Sequence, residues 1–423
     1  MTNKKAHGVL LAGVTAVSLA AIAQEDAGAP VGIKLAPGVR AVALLDADLA
    51  YTSNFFYQPD NEKSSVGVIL KPGLKIEGDK GAFVYNLGLI GDIGKYDVRG
   101  DLDDYEDTRF DAGFTWDAAT RHRFGARFIR LDDHDPFGTV RTESSAVGQR
   151  DLDEWHENQF DLTYRFGAND AKINVELGTG TRDREYDTNR GFTQFLDFSI
   201  DEVRAAVLYN LSSKTALLAD IIDSDISYDE NLVGFPRDGE EQRIRAGVRW
   251  KATGKTIGDV RVGKVKREFD DPAARDFDET DYDASLTWSP RVQTQLSARI
   301  GRASLESYLV ETRFIDNEFY ILDWTQDWSS LFRTSLSYGR SEQLFVDSAV
   351  DGSPAAGVQS IGERQDEIDS WTLLGTYRLS SSLQLRGGLS RVERTSNLLD
   401  PLTQRQTADY DNDTAFIGVR VLF

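Results

Sequence analysis

The sequence of 423 residues contains no cysteine, one methionine and four histidines. Without cysteine the chain forms no disulfide, and it cannot carry a lipid on an N-terminal cysteine. Beyond a short apolar stretch at 8–20, it also lacks any run close to the roughly 20 apolar residues that a membrane-spanning helix needs. Only ten prolines occur, and no Pro-rich or Ser/Gly-rich stretch separates two patterns. The sequence therefore indicates one domain without membrane-spanning helices.

Residues 1–23 predict an export signal that is removed. Lys4 and Lys5 give this segment a charged start, an apolar stretch follows, and a small-x-small cleavage site ends at Ala23. Cleavage after Ala23 leaves residues 24–423, which we expect to form a single domain.

The chain is acidic, with 69 Asp and Glu residues against 48 Lys and Arg residues and a net charge of −21. Such a surface repels nucleic acid, so we exclude nucleic acid as a partner. Acidic loops can bind divalent cations, or tolerate them as bridges to anionic lipopolysaccharide. A solvated crown of acidic loops is the simpler explanation of the charge.

A hairpin pattern repeats roughly every 40 residues along the chain. Each time, an alternating apolar–polar stretch ends in an aromatic residue, a short polar turn follows, and a second alternating stretch leads into a longer charged segment. Aromatic residues at one height on successive strands form a girdle at a membrane–water interface. The predicted girdle consists of Trp116, Phe166, Tyr209, Trp250, Trp288, Trp328, Tyr377 and Phe423.

The alternating stretches predict eighteen strands. An even number places both termini on the periplasmic side, as in single-chain bacterial barrels. The expected fold is all-β: a single transmembrane antiparallel up-and-down β-barrel of about 18 strands, with short periplasmic turns and long outer loops. The strands are predicted at 38–51, 65–77, 81–96, 106–117, 121–131, 155–167, 171–182, 194–210, 214–226, 241–252, 256–268, 279–289, 293–305, 316–328, 331–342, 366–379, 382–394 and 408–423.

The same alternation assigns a lipid-facing side and a lumen-facing side to each strand, because a charge on the lipid side costs roughly 2–4 kcal/mol at the bilayer midplane. Opposed rows of inward Arg and Asp set a transverse field that selects polar or charged solutes. An equally good interpretation is that these residues pair with one another, so that they only satisfy the hydrogen-bonding and charge requirements of a polar interior. The candidate selectivity residues are the ladder Arg243, Arg245 and Arg249, together with Asp281, Asp283, Asp111 and Arg109.

The segment between Leu131 and Glu154 is long enough to fold into the barrel as a constriction or to cover it as a lid. It combines charge, an aromatic residue and the turn formers Pro and Gly. The candidate constriction residues are Asp133, His134, Asp135, Phe137 and Arg141.

The sequence offers little for catalysis. It contains no Gly-x-Ser-x-Gly elbow, no His-Glu-x-x-His and no phosphate-binding loop, and beyond the export signal it has three histidines: His122, His134 and His156. His134 and His156 lie at the two ends of one acidic loop and could meet at a metal ion. Incidental histidines in a mobile acidic loop are the simpler interpretation. We predict no enzyme activity, no cofactor and no metal site.

Two segments carry a resemblance to a known family. The residues Tyr-Thr-Ser-Asn-Phe-Phe at 51–56 and Asp-Pro-Phe-Gly-Thr-Val-Arg at 135–141, with the overall length after the export signal, resemble the family described as putative β-barrel porins. Members of that family more often carry Asp-Asn where this chain has Ser53-Asn54, and they often belong to exopolysaccharide synthesis and export loci. The resemblance implies an outer-membrane conduit, including one for polymer secretion.

We therefore expect a non-catalytic outer-membrane conduit for exopolysaccharide or hydrophilic solutes. One alternative is a general nutrient or anion porin with the arginine ladder as its filter. Another is a closed structural or adhesive barrel whose acidic loops bind surface polymer or cations. The expected partners are outer-membrane lipid and lipopolysaccharide, the barrel-assembly machinery acting through the C-terminal strand, and a periplasmic polysaccharide-export apparatus.

Overall fold

The computed structural model describes residues 32–143, 149–168, 170–348, 359–360, 363–399 and 407–423. The predicted export signal lies outside these residues. The strands are β1 (Ile33–Ala36), β2 (Val39–Thr52), β3 (Ser65–Asp79), β4 (Phe83–Tyr96), β5 (Tyr105–Ala119), β6 (His122–Asp135), β7 (Asp153–Phe166), β8 (Ile173–Tyr186), β9 (Phe198–Asn210), β10 (Thr215–Tyr228), β11 (Gly239–Thr253), β12 (Thr256–Phe269), β13 (Phe277–Arg291), β14 (Thr294–Glu306), β15 (Thr312–Asp327), β16 (Phe332–Ser348), β17 (Gln359–Ser360), β18 (Gln365–Arg378), β19 (Leu383–Ser396), β20 (Leu398–Leu399) and β21 (Tyr410–Leu422).

Helical structure is minor. In the described residues it comprises one α-helical turn, α1 (Arg190–Thr193), and the 3-10 turns Gly100–Asp103, Val140–Thr142 and Gln194–Leu196. None of the helices found there is long and apolar enough to cross a membrane.

Eighteen strands form a closed barrel: β2 to β16, β18, β19 and β21 pair antiparallel, each with the next. β2 also pairs with β21, from Leu44 opposite Leu422 to Thr52 opposite Thr414, and this ladder closes the sheet. β1 forms a short hairpin with β2, and β17 and β20 pair with each other outside the barrel sheet. The predicted fold class and strand number are confirmed.

β11 shows why these sequences form barrel strands. Ile244 and Val248 lie on the outer face, 52% and 36% exposed, whereas Arg243 and Arg245 point inwards to carboxylates on other strands. Successive side chains of a strand point to opposite faces, so an apolar–polar alternation suits a sheet with lipid on one side and polar groups on the other.

The connections differ between the two ends of the barrel. Those after β3, β5, β7, β9, β11, β13, β15 and β18 have two to six residues, whereas the others have between five and seventeen. We call these the short-turn end and the long-loop end. The predicted asymmetry is therefore present, and the strands extend towards the long-loop end by up to six residues beyond several of the predicted bounds.

Among the wrong boundaries at the long-loop end, two concern the candidate constriction residues and the segment before β9. β6 continues to Asp135, so Asp133, His134 and Asp135 lie in a strand that pairs with β7 rather than in a loop. β9 begins at Phe198 instead of 194, because the preceding residues form α1 and a 3-10 turn. The carboxylate of Asp197 fixes this corner by accepting a hydrogen bond of 2.8 Å from the backbone amide of Tyr186.

One hairpin leaves the barrel wall. The ladder between β13 and β14 ends at Asp283 opposite Gly301, although β13 extends six residues further towards the long-loop end and β14 five. β15, by contrast, stays paired with β14 and β16 along this stretch. We call residues 302–316, the end of β14 with its tip and the start of β15, the inner hairpin.

The inner hairpin is buried on both faces. Phe314 packs against Val265 and Phe277 of the inner wall, while Ile315, on the opposite face, is 2% exposed. All residues from Thr312 to Asn317 are buried. A strand that is covered on both sides lies between two layers of protein, so this hairpin lies inside the barrel rather than in its wall.

Candidate functional site

The predicted arginine ladder lies on the inner face of β11, and each of its members is paired. Arg243 contacts Glu241 at 2.7 Å and Asp281 at 2.9 Å. Arg245 contacts Asp220 at 2.8 Å.

The third member of the ladder, Arg249, contacts Asp259 at 2.7 Å. Arg261 on β12 joins the two groups, because it contacts both Asp220 and Asp259, at 3.0 and 2.9 Å. Four arginines therefore face four carboxylates, and this part of the wall is close to neutral. Four of these residues were missed in the sequence: Asp220, Asp259, Glu241 and Arg261. The alternation along β10, β11 and β12 places all four side chains on the inner face, so the pattern could have identified them.

The other candidate selectivity residues lie in similar pairs nearer the open part of the lumen. Asp111 is 2.6 Å from Arg127 and 3.8 Å from Arg109. Asp283 is 3.7 Å from Arg299 on β14. These side chains are a fifth to a third exposed, so water reaches them.

The inner hairpin is held to the barrel interior by a buried ion pair. Glu306, at the end of β14, accepts two hydrogen bonds from Arg267 of β12, at 2.9 and 3.0 Å. The hydroxyl of Tyr228 on β10 donates to the same carboxylate. Because three strands contribute to one buried cluster, the end of β14 is fixed against the inner face of β10 to β12.

The tip of the inner hairpin reaches the opposite wall. Val310 packs against a cluster formed by Trp155 of β7, Tyr186 of β8 and Leu196. The backbone carbonyl of Ser307 accepts a hydrogen bond of 3.2 Å from Arg237. The hairpin thus spans the lumen from β14 and β15 to β7 and β8.

A second buried cluster joins the tip to two other long loops. Arg364 and Arg394 both contact Glu143, at 2.7 and 2.9 Å, and Asp366. The hydroxyl of Tyr308 lies 3.4 and 3.1 Å from the two guanidinium groups, and burial raises the pKa of Tyr308 to about 12. Glu143 belongs to the loop after β6, so this loop also reaches inwards.

The candidate constriction residues are dispersed. Phe137 packs against Phe56 of the loop after β2, and Arg141 forms a bidentate pair with Asp153, with both contacts at 2.7 Å. Gly138 has φ +86°, and a Cβ there would lie 1.7 Å from the Phe56 carbonyl oxygen, so only glycine allows this approach. These residues fix the loop to its neighbours, and Glu143, which was missed, reaches further into the barrel.

The three strand residues of that group divide between two sets of contacts, one around Asp135 and one around His134. Asp135 accepts hydrogen bonds from the indole of Trp155, at 3.1 Å, and the hydroxyl of Tyr186, at 2.9 Å. His134 Nδ1 lies 2.8 Å from an oxygen of Asp107 and 3.9 Å from an oxygen of Asp133.

The predicted girdle residues all lie at the short-turn end, within the last four residues of a strand or directly after its last residue. Seven of them are between 40% and 60% exposed, and Trp250 is partly exposed. Their placement at a membrane–water interface remains a prediction. They are Trp116, Phe166, Tyr209, Trp250, Trp288, Trp328, Tyr377 and Phe423.

The lumen is accessible to solvent towards one end and filled with buried side chains towards the other. Arg267, Glu157 and Asp281 point inwards near the long-loop end, and none of these three side chains has solvent-exposed surface. Nearer the short-turn end, Asp161 and Arg204 form an inward pair that is about a third exposed. Water that enters from the short-turn end therefore meets the inner hairpin and its ion pairs in the described part of the chain.

Residues 27–423 match the model of a family described as Putative beta-barrel porin 2. No curated protein matches the sequence.

Several solved barrels are similar in structure. The FrpB iron transporter of Neisseria meningitidis (F5-1 variant, apoprotein) aligns at 12% identity and TM-score 0.47, over 90% of this chain and 81% of its own. OpdQ of Pseudomonas aeruginosa aligns at 9% identity and TM-score 0.44, over 91% of this chain and 98% of its own. OccAB3 of Acinetobacter baumannii aligns at 10% identity and TM-score 0.44, over 92% of this chain and 100% of its own.

Proposed function

Because the chain belongs to the Putative beta-barrel porin 2 family, we propose that it is an outer-membrane porin that passes small hydrophilic solutes and that its inner hairpin limits their passage. Members of a porin family conduct solutes and do not catalyse reactions. The observation that carries the proposal is the lumen itself: a polar, water-accessible half that ends at a hairpin held by ion pairs.

The outer surface supports a place in the outer membrane. Large apolar side chains are exposed around the barrel, such as Leu89, Val203 and Ile417, and an aqueous surface would not tolerate so many. Lipid and lipopolysaccharide would contact this surface. The C-terminal strand β21, which ends in apolar residues, would be the part that the barrel-assembly machinery recognises after export.

The lumen favours small polar solutes without strong charge selection. Its arginines and carboxylates neutralise one another along β10 to β13, so hydrogen-bonding groups remain while the net field is weak. A polysaccharide chain would have to displace the whole inner hairpin. Export of exopolysaccharide with a periplasmic apparatus therefore needs a large movement that passage of small solutes does not.

The test is planar-bilayer conductance of the folded protein and of a variant without the inner hairpin. In that variant an Asn-Gly turn replaces residues 302–318 and joins Gly301 to Phe319, which are directly paired. We expect small conductance for the natural chain and a severalfold larger one for the variant. The control replaces the short turn between β15 and β16 with the same dipeptide and should conduct like the natural chain.

Solute uptake into liposomes separates the alternatives. Passage of small sugars but not dextrans through the natural chain supports the proposal, and passage of dextrans through it would favour polymer export. A hairpin-free variant that inserts and folds without conducting would contradict the proposal and favour the structural or adhesive barrel.

A further inference from the structure

β5 and β6 separate near the long-loop end. Their ladder stops at Thr108 opposite Asp132, although β5 stays paired with β4 as far as Tyr105 and β6 stays paired with β7 as far as Asp135. The two facing edges therefore continue for three residues each without pairing to one another. A cavity of about 360 Å³ occupies this gap.

Three side chains bring metal-ligating atoms together at this gap. Asp107 on β5, and Asp133 and His134 on β6, each offer one atom, and the three atoms lie within 4.8 Å of one another. A tetrahedral ion with bonds of about 2.1 Å places its ligand atoms roughly 3.4 Å apart. The separations of 2.8 Å between His134 Nδ1 and Asp107, and of 3.9 Å between Nδ1 and Asp133, lie on either side of that value.

The imidazole is already fixed in position. The His134 side chain is 10% exposed, and its ring lies against that of Tyr105 with the centroids 4.6 Å apart. A ligand that is ordered before the ion arrives loses little conformational freedom on binding. The carboxylates on either side are less buried, at 18% and 28%, and can adjust.

The cavity carries an excess of negative charge. Lys95 is the only lysine or arginine among its lining residues, and it is paired with Asp104 at 2.8 Å. A divalent cation between Asp107 and Asp133 would remove the repulsion between two carboxylates that face each other there. The remaining acidic residues that line the cavity are Glu106, Asp132, Glu154 and Asp187.

From this geometry we propose that Asp107, Asp133 and His134 bind one divalent transition-metal ion of the Zn²⁺ type, which joins β5 to β6 where their backbone ladder ends. Carboxylates alone would suit Mg²⁺ or Ca²⁺, whereas an imidazole ligand favours Zn²⁺ and its neighbours. The open side of the ion would face the cavity and hold water. On binding, the neutral imidazole presents the Nδ1 lone pair and keeps its proton on Nε2.

This site differs from the pair that the sequence suggested. His134 and His156 were expected either to share an ion or to be incidental. His156 instead contacts Asp187 at 3.1 Å and Glu185 at 3.8 Å. The third ligand, Asp107, comes from a different strand and only the barrel register brings it close.

The test is binding of Zn²⁺ to the folded full chain after treatment with a chelator, measured by calorimetry and metal analysis in excess Mg²⁺. We expect one bound ion for each chain, and at least a tenfold loss of affinity in His134→Ala and Asp107→Asn. His156→Ala is the matched control, since it removes a histidine that also lies among carboxylates at the same end. It should bind like the natural chain.

Either of two results overturns the proposal: equal affinities of His134→Ala and His156→Ala, or loss of all binding when Mg²⁺ is in excess. Should His134→Ala fail to fold, X-ray absorption of Zn²⁺ bound to the natural chain decides instead. A single imidazole nitrogen among oxygen ligands supports the site, and a spectrum with oxygen ligands alone refutes it.

Discussion

Glu306 and Arg267 form a bidentate ion pair in the barrel interior, although they belong to strands that are not neighbours. The guanidinium has no exposed surface, and the carboxylate side chain is 6% exposed. Removing one partner of such a pair leaves the other charge buried and unpaired, which costs much more than the pair itself contributes. The position of the inner hairpin therefore depends on this contact.

Glu306→Gln should lower the free energy of unfolding by about 3–5 kcal/mol, because it leaves the Arg267 charge without its partner. Denaturant titration of the protein in lipid vesicles, followed by tryptophan fluorescence, measures this difference. We also expect a larger bilayer conductance, since the end of β14 loses its anchor.

Lys264→Ala is the control for that variant. Lys264 pairs with Asp278 at 3.1 Å on the same sheet, but the two side chains are 65% and 62% exposed. Exposed pairs contribute about 0–1 kcal/mol. Equal destabilisation by both substitutions would show that burial of the Glu306 pair has no special role.

Arg245→Glu should shift ion preference towards cations. The substitution places a third carboxylate beside Asp220 and Asp281, which Arg245 now contacts at 2.8 and 3.6 Å. The reversal potential under a salt gradient measures the shift in the conducting, hairpin-free background. Asp220→Asn leaves an excess of arginine and should shift the potential in the opposite direction.

Lys266→Glu makes the same change of charge on the outer face of β12, where Lys266 is half exposed. It should leave the reversal potential unchanged. An effect equal to that of Arg245→Glu would mean that surface charge, and not the lumen wall, determines the preference.

Acid should weaken the attachment of the inner hairpin through Asp271. Hydrogen bonds from the Ala273 amide and from Arg313, near the start of β15, hold the pKa of Asp271 below its usual value. A lowered pKa in the folded state means that the stabilisation is complete above the unfolded pKa of about 4 and is lost as the pH falls through the folded value. The chain should therefore lose this contribution only in acid.

The measurement compares thermal unfolding of the natural chain and of Asp271→Asn across pH. The natural chain should be the more stable at pH 7, and the difference should vanish in strong acid. Asp276→Asn, in the same loop, should follow the natural chain. If the difference in stability between the natural chain and Asp271→Asn stayed constant with pH, the Asp271 carboxylate would not contribute to the acid sensitivity.

Brominated lipid should distinguish the two faces of the barrel. Trp288 is 47% exposed on the outer face of β13, whereas Trp155 is 8% exposed and lies under Arg184 on the inner face. In variants that keep one tryptophan each, we expect strong quenching of Trp288 by brominated acyl chains and little quenching of Trp155. Similar quenching of both would contradict the assignment of faces.

Period-2 alternation was enough to predict the barrel, because every wall strand has to follow it. It also gave the inward side of Arg243 and Arg245, but not their partners, since pairing depends on the register between strands. The inner hairpin breaks the rule. Phe314 and Ile315 are consecutive large apolar residues, and in β16, which pairs with the hairpin, Leu344, Phe345 and Val346 are as well. Such runs indicate burial on both faces, and this signal was available in the sequence.

The proposed metal ligands could not be predicted from the sequence for a different reason. Asp133 and His134 are adjacent, so alternation places their side chains on opposite faces of β6 and argues against their binding one metal ion together. They meet only because β5 and β6 separate beyond Thr108, which leaves a space that either side chain can enter. No local pattern marks the end of a ladder between two strands that both continue.

The ladder between β2 and β21 carries a buried charge at the place where the first and last strands of the barrel meet. Asp46 of β2 accepts two hydrogen bonds of 2.7 Å from Arg420 of β21 and also contacts Arg386 of β19. A slip of one residue in this ladder would turn Asp46 to the lipid side and leave both arginines unpaired. These ion pairs therefore favour a single register for the closure of the barrel, because a shifted pairing of β2 with β21 would expose the Asp46 charge to lipid.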